Sequence, residues 1–306
     1  MNIVGLGSIA VDSIVSVDAL PKEDSFCIIK STKLLPGGSG ANVIVQASRL
    51  GVSCGFIAKI GDDVHGTELM NSFIGEGIDN RKMIIQKDGT TLHTDIVVDG
   101  TGAKFIMLHM GNCFLNLQEK DIDLSYISSA DIFYTDLMPY GPAVAALKVA
   151  KQADKKTAFN MQVNLAQMNA FGCSKKQLLD SLAYVDLFAP CREGLFQLCG
   201  TEELDVCAQF LKSYCNGTLL FTLGKDGSVA YAPDGSYHRE KAVERNVIDT
   251  TGAGDSYMGA MLYSYLYQNY TLAESMKFST VCAFLTCSNI GARSCPTLEA
   301  VNAFSV

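Results

Sequence analysis

The chain has 306 residues, 48% of them apolar and 18% charged, with a formal net charge of −8. That length and apolar content allow one large α/β domain with a smaller appendage and argue against a disordered chain. The acidic balance argues against a nucleic-acid partner, and no run of 18 apolar residues offers a membrane span.

The amino end, "MNIVGLGSIAVDSI", has neither a basic start nor a long apolar segment, so the expected location is the cytoplasm. Eleven cysteines without a Cys-x-x-Cys pair fit reduced thiols better than a disulfide framework. Cys191, Cys199, Cys207 and Cys215 recur every eight residues, a spacing that matches no zinc pattern. "NIVGLGS" reads as a buried first strand. Gly5, Gly7 and Ala10 imitate a dinucleotide-binding fingerprint, but that fingerprint needs a helix next. Here "AVDSIVSV" alternates apolar and polar residues as a half-exposed strand does, so the fingerprint is set aside. Asp12 on that strand is open to two readings, a polar surface residue or a ligand-holding carboxylate.

Gly37, Gly38 and Gly40 precede helical spacing over 41–50, and Asn42 falls in the first turn, where core packing gains nothing from an amide. "CGFIAKIG" reads as one strand, followed by a helix from about Val64 to Ile74. "TLHTDIVVDGTGAKFIMLH" reads as a hairpin turning at Asp99 to Gly102. Further strands are expected at "DIFYTDL", "KTAFNM", "VDLFAP" and "TLLFTLG", with helices near 142–153, 174–184 and 202–215. This alternation predicts a doubly wound α/β fold with a mainly parallel sheet flanked by helices. Residues 10–35 and 90–110 break the rhythm and are expected to form a small β lid on a single domain spanning 1–306. The four histidines show no ligand spacing and are read as structural, and "YSYLYQNY" is read as packing.

The most informative stretch is "VIDTTGAGDSYMGAMLYSYLY", residues 247–267. Its glycines precede helical spacing, and a helix entrance offers unpartnered N–H groups and a partial positive charge that suit an oxyanion. Asp255 in the first turn could simply complement the dipole. The glycines beside it favour a phosphoryl-transfer site, which needs N–H donors and a base together.

"DTTGAGDSYMGAML" resembles the carboxy-terminal signature of the ribokinase-like carbohydrate kinases, the PfkB family. "GGSGANVIVQASRLGVSCGFIAKIGDDVHG", residues 37–66, is similar to the amino-terminal signature of that family. The resemblance implies an ATP-dependent kinase with a β lid over a sugar or polyol. Asp255 would be the base, and Gly252, Ala253 and Gly254 the anion hole. It implies acceptor contacts from Asp12, the Gly38 backbone and Asn42, and nucleotide contacts from Thr222, Gly224 and Gly227, with Asn160 near the phosphates. Asp249, Thr251 and Gly291 would hold a monovalent cation such as K⁺. Mg²⁺ is implied as well, yet the family's Asn-x-x-Glu motif reads "PCREG" here. Cys191 and Gly194 stand at its ends, and Glu193 is left as the substitute carboxylate. Ser39 replaces a lysine of ribokinase, which favours an uncharged acceptor. No GxxxxGK[ST] loop occurs. The resemblance implies a homodimer joined through the lids. Alternatives are a nucleoside kinase of the family, a sugar-binding protein with impaired catalysis, and an oxidoreductase resting only on "GLGSIA".

Overall fold

The first strand, Ile3–Leu6 (β1), is buried at all four positions, as a strand covered on both faces must be. The structure, a computed structural model, describes residues 1–304. Beyond β1 the chain leaves the centre: Ala10–Val17 (β2) and Ile29–Gly37 (β3) pair antiparallel. After the helix Ser39–Arg49 it returns as Cys54–Ile57 (β4), parallel to β1. Lys59–Gly61 (β5) pairs with Ile84–Gln86 (β6), and His93–Val98 (β7) with Lys104–His109 (β8) forms the expected hairpin. Its turn is closed by Asp99, whose carboxylate accepts the Thr101 N–H at 2.8 Å.

Ile132–Thr135 (β9), Lys156–Met161 (β10), Leu187–Pro190 (β11) and Thr218–Thr222 (β12) then alternate with helices. Ser228–Tyr231 (β13) and Tyr237–Glu240 (β14) follow directly. One eight-stranded sheet results, in the order β14-β13-β12-β11-β10-β9-β1-β4. From β4 to β12 every pairing is parallel; only β13 runs against the sheet, and β14, antiparallel to β13, resumes its direction. Separate apolar clusters cover its two faces, the double winding that strand-helix alternation predicts. A second sheet, β3-β2-β7-β8, grows from the chain just past the carboxyl end of β1.

"CGFIAKIG" is not one strand. It breaks at Ala58, whose carbonyl accepts the Ile84 N–H at 2.9 Å and turns the chain from the main sheet into the β5-β6 pair. The discarded fingerprint also has an explanation. A Cβ on Gly7 would meet the Asp136 carboxylate at 2.7 Å, so this glycine serves packing beneath the sheet's edge. In "YSYLYQNY", Tyr263 packs on Phe278 with ring centroids 5.5 Å apart.

The helix Ala253–Met261 lies against Ser39–Arg49, so two segments far apart in sequence share one entrance. Ser256 donates to Gln46 Oε1 at 2.7 Å, and Gly259 sits where an added Cβ would be 2.5 Å from the Val43 carbonyl oxygen. Backbone cannot yield there as a flexible side chain could. Gly259→Val is therefore expected to cost about 2 kcal/mol or more, read as a lowered urea midpoint at unchanged slope.

Candidate active site

Thr250 and Thr251 lead into a turn that Gly252 closes at φ +79°, in the left-handed region. A Cβ there would stand 2.3 Å from the Ala292 carbonyl oxygen, so the turn rests directly on that chain. Ala253 N–H donates to the Thr250 carbonyl at 3.2 Å. The next two amides, of Gly254 and Asp255, have no acceptor within the helix. They form the positive end of the helix dipole, where an oxyanion is stabilised.

Asp255 itself is buried, and its Oδ2 accepts the Asn42 amide N–H at 2.9 Å. Burial pushes its carboxyl up to about 7, and the like charge of Asp136 pushes the same way. Hydrogen bonds from Asn42 and Ser39 and the field of Arg293 oppose that rise. The Asn42 oxygen accepts from Arg293 Nε at 2.9 Å. A guanidinium can only donate, so this bond fixes the amide with its NH₂ toward Asp255. Arg293 also donates to Ser72 Oγ at 2.7 Å and to the Gly37 carbonyl at 3.1 Å. Its burial lowers the guanidinium to about 10, which leaves it cationic at neutral pH.

Arg293 connects this carboxylate to the floor of the second sheet. Asp12 on β2 lies beside Gly37, where an added Cβ would be 3.1 Å from its Oδ2, and it accepts the Thr94 hydroxyl of β7. Gly38 caps the helix Ser39–Arg49 at φ +86°. The second buried carboxylate, Asp136, follows β9. It accepts the Ser8 N–H at 2.8 Å, the Ser8 hydroxyl at 2.6 Å and the Met138 N–H at 3.0 Å, and burial pushes it up to about 6. Asp136, Arg293 and Thr94 were not singled out from the sequence. A polar residue at the end of the expected strand "DIFYTDL" is the only signal for Asp136, and Arg293 stands two residues past Gly291 in a segment with no periodicity of its own.

On the other side of the helix entrance is a cleft of about 690 Å³. Ala253 and Gly254 line one end, and Thr222, Gly224 and Gly227 of the β12-β13 hairpin line another. The turn "TLGKDGS" is thus both a hairpin and a cavity wall. Asn160 is buried at the carboxyl end of β10, beside Ala189. Asp249 gathers Thr251 and Gly291: it accepts the Thr251 N–H at 2.9 Å, the Thr251 hydroxyl at 2.7 Å and the Gly291 N–H at 2.9 Å. Those bonds hold its carboxyl below the ordinary range, an ionised anchor suited to a cation.

Glu193 is exposed and accepts from Asn164 at 3.0 Å and Gln197 at 2.9 Å. Cys191 caps the helix Arg192–Cys199 by accepting the Gly194 N–H at 3.4 Å. A Cβ on Gly194 would meet the Met161 methyl at 2.8 Å. His65, His93 and His109 stack as one column. Strand register brings His93 and His109 together and the helix from Val64 supplies His65, from positions whose spacing carries no signal.

A doubly wound sheet with a four-stranded sheet at its carboxyl edge is the ribokinase-like fold. The ribokinase of Thermotoga maritima superposes with a TM-score of 0.83 over 99% of this chain and 98% of that one, at 24% identity. Arabidopsis thaliana ribokinase, solved with ribose and ATP, gives 0.83 over 99% of each chain, also at 24% identity. The chain belongs to the pfkB family of carbohydrate kinases, whose profile matches residues 2–299. Among curated relatives, 5-dehydro-2-deoxygluconokinase of Clostridium perfringens is 29% identical over 99% of this chain and 92% of its own. Ribokinase of Dictyostelium discoideum is 26% identical over 96% of each.

Proposed function

We propose that this carbohydrate kinase transfers the γ-phosphoryl group of ATP to a hydroxymethyl group of a sugar or related polyol, with Asp255 as the base. The observation that carries this reading is the position of Asp255. Its amide neighbours border the 690 Å³ cleft, and its carboxylate is tied through Asn42 and Arg293 to the Gly37 segment beside Asp12. A carboxylate between two binding regions can take a proton from an alcohol on one side as it attacks phosphorus on the other. The backbone turn of Gly252, Ala253 and Gly254 forms the anion hole of this reading, with the Gly254 N–H as its open donor. Thr222, Gly224 and Gly227 hold the nucleotide, with Asn160 toward its phosphates. Asp12, Gly38 and Asn42 orient the acceptor, Asp12 through its free lone pairs and Asn42 chiefly by fixing Asp255.

Mg²⁺ enters with the nucleotide and offsets phosphate charge. Glu193, with its two amide partners, is the carboxylate offered for the water around that ion. Asp249, Thr251 and Gly291 are assigned to a monovalent cation such as K⁺. Residues 1–306 act as a single kinase domain, with lid segments near 10–35 and 90–110. Phe105, Ile106, Met107 and Leu108 are all more than half exposed or close to it on β8, which supports a homodimer through the lid. Eleven unpaired cysteines support a cytoplasmic setting.

An ADP-release screen over sugars, polyols, 5-dehydro-2-deoxygluconate and nucleosides tests the acceptor. Turnover of a sugar, sugar acid or polyol is expected. Turnover of nucleosides alone would reassign the acceptor, a reading kept in view by the 25% identity to aminoimidazole riboside kinase of Salmonella typhimurium. Sugar binding without ATP consumption would point to impaired catalysis, which the Cys191 and Gly194 replacements motivate.

The carboxyl raised to about 7 sets a pH dependence. The base must be ionised, so kcat/KM should rise about tenfold per pH unit below that value and flatten above it. Stability moves the other way. The folded state keeps a proton that the unfolded state releases near its ordinary 3.8, so this group's contribution is full below that value and is lost as pH rises through about 7. Urea melts across that window check the sign, and Asp255→Asn should remove this component of the slope.

A further inference from the structure

The histidine column belongs to the lid and lies away from the Asp12 side of its sheet. His65 starts the helix that runs from Val64, His93 opens β7 and His109 ends β8. The rings of His65 and His93 stack with centroids 4.0 Å apart, and those of His93 and His109 at 4.7 Å. His93 and His109 are register partners, so their side chains share a face of the sheet. Asp95, two residues along β7, shares it too, while Thr94 between them faces the opposite way and donates to Asp12.

Three donor groups converge there. One ligand atom from each of His93, Asp95 and His109 lies within 4.8 Å of the others. His93 Nδ1 is 2.8 Å from the Thr91 carbonyl oxygen. A carbonyl can only accept, so the ring proton sits on Nδ1 and Nε2 keeps its lone pair. This is the outer-shell arrangement that fixes the tautomer of metal-binding histidines.

We propose that His93, Asp95 and His109 bind a divalent transition-metal ion of the Zn²⁺ class, with His65 stacked behind His93 as a support. Two imidazoles and one carboxylate suit Zn²⁺, Co²⁺ or Ni²⁺, whereas Mg²⁺ prefers oxygen ligands throughout. Tetrahedral coordination at 2.0–2.1 Å would bring the donors to roughly 3.3 Å from one another. Asp95 is half-buried and His109 exposed, so both side chains can make that small rotation. An ion held there would cross-link β7 to β8 and steady the strand that presents Thr94 to Asp12. The site is thus a brace on the lid, separate from any Mg²⁺ that arrives with ATP.

The test uses the full chain, stripped of metal with EDTA and free of nucleotide and Mg²⁺. Zn²⁺ is titrated against a chromophoric chelator, and Co²⁺ serves as an absorbing probe of the ligand set. The expected result is one ion per chain with micromolar or tighter affinity and no thiolate charge-transfer band from Co²⁺. His109→Gln and Asp95→Asn, both at accessible positions, should each weaken binding at least tenfold with the melting temperature in EDTA unchanged. His238→Gln on β14 should bind as the parent does. Three outcomes would overturn the site: no binding at micromolar Zn²⁺, affinity unaffected by both variants, or a Co²⁺ spectrum showing cysteine ligation.

Discussion

Asp255→Asn is expected to lower kcat by about 10³-fold while leaving the fold and ATP affinity nearly unchanged. A positioned general base contributes roughly 10²–10⁴, and the amide keeps the shape of the carboxylate while losing its basicity. Its oxygen can still accept the Asn42 N–H that now reaches Oδ2. The buried carboxylate is costly to the native state above neutral pH, as its raised pKa records. The variant should therefore melt no lower than the parent at pH 8, the pattern of a site where activity and stability oppose each other. Steady-state ADP release, with thermal melts at pH 8, measures both. Parent-like turnover would remove Asp255 from the chemistry.

The second large effect is expected from Gly252→Ala. The residue sits at φ +79°, and the new Cβ would have to fit 2.3 Å from the Ala292 carbonyl oxygen. Strain in the left-handed region costs of order 1 kcal/mol, and the clash with backbone adds to it. Relief requires the turn to move, which carries the Gly254 and Asp255 amides away from the position they now hold. Loss of one aligned donor to developing charge costs about 10²–10³ in kcat, so a fall of that size is expected together with a lowered melting temperature. Gly254→Ala provides the contrast. No atom lies within 4 Å of its added Cβ, and its backbone is ordinary helix. Exchanging glycine for alanine there should stabilise the fold by about 0.5–1 kcal/mol. The methyl group would project at the wall of the 690 Å³ cleft, so KM for ATP should rise instead.

Much of this was legible in the sequence, because local rules and the global fold agree along most of the chain. Strand-helix alternation carries the parallel sheet, and the turn at Asp99 to Gly102 marks the β7-β8 hairpin. The two glycine-bearing signatures mark the helix entrances that meet at Asn42 and Asp255. Legibility ends where tertiary pairing alone brings groups together. Arg293 orients Asn42 from the far end of the chain, and Asp136 is buried through contacts with Ser8 that no periodicity reports. The histidine column depends on the register between two strands and on where a helix begins. The break at Ala58 was hidden because both halves of "CGFIAKIG" are strand, in different sheets.

The most direct measurement is a crystal structure with a non-hydrolysable ATP analogue and the acceptor found by the screen. The expected result is an Asp255 carboxylate oxygen about 3 Å from the acceptor hydroxyl, with the γ-phosphate against the amides at the start of the helix Ala253–Met261. A carboxylate that points away from the acceptor, or a γ-phosphate held elsewhere, would contradict the assignment of Asp255 as base.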